Sequence, residues 1–364
     1  MHRPLLLALG VAVFGSTAAP VRANEAEVQL IYDSVRSKYP DLGVYCQLAE
    51  DARVKATLEV MTPLVSTRKV QQPFVSGPAA GALLRQDCGI ATQMDPAKLR
   101  WMTTARPLKF SADRGSFGLF TGVQALANKV FAPAGDGPFP AVVINSTKGV
   151  SEHLRVHARS LLEAGFAVLV VDTFGPRGYR AGVREPLPSE FAKDAYDALA
   201  HLQTLPYIDK ERIFQTGYSY GGLAAALLAS PEGAQALKAS GRFRATVAHY
   251  GACSIAGPYS SARSGAAALT MLSADSDRPI LMLMAELDIE TPPSTCFPLL
   301  EEMKAAGKDV HWHVYPGTTH AWDKAEHNGH VYRTVSGDTM TYRYDPTVTR
   351  DATARMIAFF NRYR

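Results

Sequence analysis

Arg212-Ile213-Phe214-Gln215-Thr216-Gly217-Tyr218-Ser219-Tyr220-Gly221-Gly222, followed by the small, apolar run Leu223 to Ala229, decides how this chain is read. Residues 212–216 have the character of a buried strand, and the run after Gly222 that of a helix. A serine set between glycines stands where one must turn into the other. So sharp a turn strains the backbone at the serine and crowds its neighbours, so residues without a β-carbon are needed on either side. The pattern predicts an elbow that holds the Ser219 hydroxyl at the end of a strand. There the helix N-terminus and the Tyr220 amide can stabilise an oxyanion. Glycine-flanked serines also arise by chance in loops, and partners for Ser219 separate the two readings.

A serine hydroxyl is a poor nucleophile at neutral pH, so acyl transfer needs a base for its proton and a carboxylate to orient that base. Two later strand ends offer them. The strand Pro279 to Ala285 runs into Glu286-Leu287-Asp288-Ile289-Glu290-Thr291-Pro292, where Asp288 is the candidate orienter and Glu286 and Glu290 are rivals in the same turn. The strand Val310 to Tyr315 ends in Pro316-Gly317-Thr318-Thr319-His320-Ala321-Trp322, which puts His320 on a loop after the last strand. An isolated histidine is usually a solvated one. Here the order serine, acid, histidine, each at the carboxyl end of a strand, favours a catalytic His320.

From Leu108 onward short apolar strands alternate with helices, as in an α/β fold with a mostly parallel central sheet and helices on both faces. Further strands are expected at Val123 to Phe131, Pro140 to Asn145, Phe166 to Asp172 and Ala245 to Tyr250. Helices are expected at Glu152 to Ala164 with Ser151 as N-cap, from Ser189 as cap to about Thr204, at Pro298 to Ala306 and at Ala352 to Tyr363. The Ser-, Gly- and Ala-rich stretch Ser254 to Asp277 is a candidate cap over the site. Residues 24–105 form an N-terminal extension with one amphipathic helix, Glu25 to Lys38, and no assignable fold; it either covers the site or docks on the sheet. The catalytic domain is expected over 106–364.

With 364 residues, 47% of them hydrophobic, the chain can bury a large core. Residues 1–23 carry His2 and Arg3, the apolar run Leu5 to Phe14, and small residues ending Val21-Arg22-Ala23, the layout of a secretory signal peptide. The apolar run is short for a membrane anchor, so a periplasmic or secreted protein without a membrane span is expected. Loss of Arg3 and Arg22 would lower the formal charge from +4 to +2, a balance that implies no nucleic-acid partner. Export suits disulfides. Cys253 follows the strand Ala245 to Tyr250 and Cys296 the strand Ile280 to Ala285 with its turn, so adjacent strands would bring them together. That leaves Cys46 for Cys88, with buried free thiols as the alternative to either pair.

From Leu108 to the C-terminus the chain resembles the dienelactone hydrolase family of α/β-hydrolases. The resemblance lies in Gly217-Tyr218-Ser219-Tyr220-Gly221-Gly222, in Glu286-Leu287-Asp288 with Thr291-Pro292 and Cys296, and in Tyr315-Pro316-Gly317-Thr318-Thr319-His320. Asp172-Thr173-Phe174-Gly175-Pro176-Arg177-Gly178 resembles a loop of its exported relatives. By that resemblance Ser219 is the nucleophile, Asp288 the orienting acid and His320 the base, and no metal or organic cofactor is implied. The name-giving enzymes use cysteine where this chain has Ser219, which favours ordinary ester hydrolysis, with lactones included. Relatives begin the loop after the Pro140 to Asn145 strand with His-Gly, whereas this chain has Asn145-Ser146-Thr147-Lys148-Gly149. Thr147 is β-branched and disfavours positive φ. The second oxyanion donor is expected at Ser146 or Thr147, with Tyr220 as the first.

Lys148 and Arg177, with Arg180 and Arg184, either select a carboxylate-bearing substrate or form a solvated rim. Trp322 either lines the pocket or packs. His153 with His157 and His327 with His330 have chelating spacings, but neither pair has the accompanying ligand pattern of a zinc site. The expected activity is cleavage of a small-molecule carboxylic ester through an acyl-enzyme. Alternatives are an exopeptidase or acyl transferase with the same triad, or a catalytically silent binding protein.

Overall fold

The computed structural model describes residues 24–48, 50–71, 76–77, 80–81, 83–84, 87–88, 107–146, 149–179, 186–255, 269–333 and 337–364. Residues 1–23, Trp101, Thr147, Lys148, Arg180, Arg184 and much of the stretch from Ser254 to Asp277 lie outside that set.

Eight strands make the central sheet: β1 (Ser111–Gly115), β2 (Lys129–Phe131), β3 (Phe139–Ser146), β4 (Ala167–Val171), β5 (Ile208–Tyr218), β6 (Thr246–His249) and, after a two-residue pair β7 (Ser254–Ile255) and β8 (Leu269–Thr270), β9 (Ile280–Ala285) and β10 (Val310–Tyr315). Their order is β1-β2-β4-β3-β5-β6-β9-β10, with β2 antiparallel to β4 and every other pair parallel. A parallel sheet covered on both faces needs apolar residues on both, and β3, β4 and β9 read as near-continuous hydrophobic runs for that reason.

The side chains divide with period two. Val143, Leu169, Ala248 and Met282 enter one core with helices α5 (Pro188–Leu202), α6 (Tyr220–Leu228), α7 (Pro231–Ala236) and α8 (Phe297–Ala305). Val142, Val168, Val247 and Leu281 enter the other with α4 (Glu152–Glu163) and α9 (Pro346–Arg362). A hairpin of β11 (Val331–Arg333) and β12 (Thr339–Thr341) precedes α9. In the N-terminal region α1 (Glu25–Lys38), α2 (Leu42–Gln47) and α3 (Glu50–Ser66) pack small cores of their own around Ile31 and Tyr45. Disulfides join Cys46 to Cys88 and Cys253 to Cys296, the latter after the neighbouring strands β6 and β9.

Two local expectations are corrected and a third is refined. The strand expected over Val123 to Phe131 is a 3-10 turn at Val123–Leu126 followed by the short β2, because Asn128 adopts φ 55° between them. Asn128 is held there by its backbone N–H on Val170 O (2.8 Å) and its Oδ1 accepting from the Asp172 N–H (2.9 Å). Ser151 is the N-cap residue of α4, and its carbonyl accepts from the Leu154 N–H at 3.1 Å, but its hydroxyl caps no helix amide and meets His153 Nδ1 at 2.7 Å instead. Ser189 lies inside α5, whose cap is Leu187, with Glu190 Oε2 accepting from the Leu187 N–H at 2.7 Å.

Candidate active site

β5 delivers Ser219 directly into α6, and Ser219 carries the strain, at φ 56° and ψ −113°. Such a non-glycine conformation costs on the order of 1–3 kcal/mol and persists only where its surroundings enforce it. The glycines serve close approach instead. A β-carbon on Gly217 would lie 1.8 Å from Gly221 O, one on Gly221 would lie 2.2 Å from Asn145 O, and one on Gly222 would lie 2.8 Å from His249 O. The elbow is closed by the Ser219 N–H on His249 O (3.1 Å) and the Leu223 N–H on Ser219 O (3.0 Å).

His320 Nε2 lies 3.0 Å from Ser219 Oγ, and its Nδ1 lies 2.7 Å from Asp288 Oδ2. All three residues are buried. Asp288 Oδ1 accepts from the N–H groups of Glu290 and Thr291, each at 2.9 Å, and Oδ2 is also within 2.7 Å of Thr291 Oγ1. Burial pushes the Asp288 carboxyl up, but His320 and these donors outweigh it and leave it below the usual aspartate value. Burial pushes His320 down, while Asp288 and Glu290 hold it above the usual histidine value.

The rival acids in the turn have other partners. Glu286 Oε2 accepts from the Gly317 N–H at 2.7 Å, tying the acid turn to the histidine loop, and the Leu287 N–H reinforces this on Thr318 O at 2.9 Å. Glu290 accepts from Tyr342 Oη, and its Oε2 lies 3.7 Å from His320 Nε2.

Ser146 ends β3 in register with Tyr218, so its backbone stands beside the elbow, and its hydroxyl lies 3.4 Å from His153 Nε2. Tyr220 opens α6. Two expectations for substrate-binding residues are corrected. Arg177 is locked in a bidentate pair with buried Asp194, both contacts at 2.7 Å, and also reaches Thr173 O at 3.1 Å. The pairing neutralises a charge that burial would otherwise make costly. Trp322 is fully buried, edge-on to Tyr250 at 4.7 Å and beside Tyr315 at 5.4 Å, so it packs beneath the histidine loop. His157 bonds Asp323, and the His327 and His330 rings flank Tyr342. Among the described residues no group of three or more His, Cys, Asp or Glu is placed to hold a metal ion.

Sequence reasoning missed the frame beneath the site. Asp323 Oδ2 meets His157 Nε2 at 2.7 Å and Asp323 Oδ1 accepts from Tyr250 Oη at 2.7 Å, all fully or almost fully buried. The one available signal was Asp323 standing three residues past His320.

An eight-stranded, mostly parallel sheet covered by helices on both faces, with a serine on a strained elbow after β5, defines an α/β-hydrolase. Residues 126–364 match the model of the dienelactone hydrolase family. The chain belongs to that family, and so to the carboxylic ester hydrolases. A search of curated proteins gives no significant match. Among solved structures, the propionate-bound esterase of the Planctomycetes species Thermogutta terrifontis is 16% identical, covering 64% of this chain and 88% of its own, with a TM-score of 0.48. A dienelactone hydrolase-like promiscuous phosphotriesterase from metagenomic libraries is 19% identical, covering 63% and 88%, with a TM-score of 0.46. An α/β-hydrolase enzyme from a Medee basin deep-sea metagenome library is 20% identical, covering 61% and 85%, with a TM-score of 0.43.

Proposed function

We propose that this protein hydrolyses small-molecule carboxylic esters, lactones included, through an acyl-enzyme on Ser219. One observation carries the reading: the line from Ser219 Oγ to His320 Nε2 at 3.0 Å and from His320 Nδ1 to Asp288 Oδ2 at 2.7 Å. As Oγ attacks the carbonyl carbon, His320 Nε2 takes its proton, and Asp288 stabilises the imidazolium. The developing oxyanion lies at the N-terminus of α6, where the Tyr220 amide is one donor and the backbone amide of Ser146 or Thr147 is the second. The imidazolium then protonates the leaving oxygen as its bond to the acyl carbon breaks. Water enters, gives its proton to Nε2 and attacks the acyl carbon, and Ser219 recovers its proton as the acid departs.

The catalytic domain is 106–364, with 24–105 an extension of it. Two disulfides are typical of chains that fold in an oxidising compartment, and no described helix is long and apolar enough to cross a membrane. The disulfides and the leader-like residues 1–23 support an exported enzyme.

Ser219→Ala is expected to lower ester turnover by several orders of magnitude while leaving the fold intact. A fluorophosphonate probe should label the native protein at Ser219 and not the variant. Undiminished turnover in the variant refutes the assignment, and absence of labelling in the native protein favours a catalytically silent scaffold.

A further inference from the structure

We propose that Glu290 is a specificity-determining residue that favours esters with a cationic leaving group and turns away those with an anionic one, an inference that rests on the acyl-transfer reading above. The nitrogen that returns the proton to the leaving oxygen is His320 Nε2, so the leaving group must lie within hydrogen-bond reach of that atom. Glu290 Oε2 is already 3.7 Å from the same nitrogen. A charge a few bonds along the leaving group therefore meets this carboxylate before it reaches bulk water.

The carboxylate is held in place. Its Oε2 accepts from Tyr342 Oη, its backbone N–H is fixed on Asp288 Oδ1 at 2.9 Å, and the Tyr342 ring stands 5.7 Å from the His320 ring. Tyr342 directly follows β12, so the β11–β12 hairpin and the acid turn together fix where the charge stands. The Glu290 side chain is 25% exposed, whereas that of Asp288 is fully buried, so of the two carboxylates facing His320 only Glu290 is open to a ligand.

Neighbouring charges do not cancel it. Asp288 faces the opposite edge of the imidazole, and Arg177 is occupied by Asp194. Lys324, which also acts on His320, is buried, and the two carboxylates outweigh it there. The partly exposed charge beside Nε2 is therefore negative, the wrong sign for a carboxylate. Serine attack also turns His320 into a cation between two carboxylates, so Glu290 acts on the leaving group without opposing the chemistry.

The test uses three butyrate esters of matched size, with 2-(trimethylammonio)ethyl, 3,3-dimethylbutyl and carboxylate-bearing alcohols, and reads kcat/KM as ratios. The native chain is expected to prefer the cationic over the neutral ester, and the neutral over the anionic, by roughly tenfold each, the size of one partly screened charge pair. In Glu290→Gln both ratios should approach one, whatever happens to the rate on the neutral ester. Tyr342→Phe retains the charge and should retain the order. Salt provides a control that needs no variant: raising it to about 0.5 M should compress the native ratios severalfold. Equal ratios in the native chain, ratios that survive Glu290→Gln or high salt, or preference for the anionic ester overturn the role of Glu290 while leaving ester hydrolysis standing. No turnover of any ester, with no fluorophosphonate labelling of Ser219, removes both.

Discussion

Tyr250 stands edge-on to the imidazole of His320, ring centroids 4.8 Å apart, while its hydroxyl donates to Asp323 Oδ1 at 2.7 Å. Asp323 lies three residues beyond His320 in the same loop and is clamped on its other side by His157 of α4, again at 2.7 Å. His320 is thus steadied twice, by Asp288 from the acid turn and by a buried frame anchored on a different helix. Tyr250 itself has φ 37°, a strained conformation at the end of β6 that its surroundings enforce.

Tyr250→Phe keeps the ring against His320 and removes only the donor to Asp323. A buried carboxylate that loses one of its partners costs about 1–3 kcal/mol, so the variant's unfolding free energy in urea should be lower by that amount. Because His320 is then less firmly placed, kcat should fall severalfold with KM little changed. Chemical denaturation and steady-state kinetics check the two effects, and unchanged values in both would remove Tyr250 from the frame.

His320 should set the acid limb of activity. Burial disfavours its charged form, but Asp288 and Glu290 outweigh burial, so its pKa lies above the ordinary 6.5. In the proposed mechanism His320 must be neutral to accept the serine proton, so kcat/KM should rise with pH through an apparent pKa above 6.5 and fall off below it. The sign for stability is opposite: the raised pKa contributes stability that is present in full below 6.5 and is lost as pH rises through the folded value. Asp288→Asn removes the carboxylate on Nδ1 and should lower the limb as well as kcat, the latter by about 10³–10⁴-fold where an orienting acid is lost. A pH–rate profile of both proteins tests this, and an unmoved limb would mean that Asp288 does not tune the base.

What could be read from the chain was what depends on local sterics and period. Gly217 and Gly221 announced the elbow because backbone crowds them, and the strands Ile280 to Ala285 and Val310 to Tyr315 carry their apolar pattern without interruption. Val123 to Phe131 misled because its apolar run hides Asn128, whose left-handed turn is fixed by groups on β4 and just beyond it. Ser151 and Ser189 look like helix caps, yet the hydroxyl of the first has a histidine partner and the second lies within its helix. Arg177 and Trp322 looked like ligands of a pocket because their partners, Asp194 and Tyr250, are distant in sequence. The His157–Asp323 contact spans 166 residues, and nothing local marks it.

His249, the last residue of β6, should make the protein acid-sensitive. Its ring is fully buried and stacked on Tyr218 with centroids 4.4 Å apart, and neither nitrogen meets a hydrogen-bond partner among the described protein groups. Burial, with repulsion from His157, pushes its pKa from 6.5 down to about 3. Above pH 6.5 both folded and unfolded forms are neutral and nothing is lost. Below it the unfolded chain binds a proton that the native ring refuses, which costs about 1.4 kcal/mol per pH unit, or about 2 kcal/mol at pH 5, until pH nears the folded value. His249→Phe keeps a ring for the Tyr218 stack and has nothing to protonate. Urea unfolding of both proteins at pH 7.5 and 5.0 isolates the effect, because every other titrating group, buried His153 included, is common to both. The loss of stability between the two pH values should be smaller in the variant by about 2 kcal/mol. An equal loss in both proteins would show that the native ring does accept a proton, which in so enclosed a setting would require ordered water at its nitrogens.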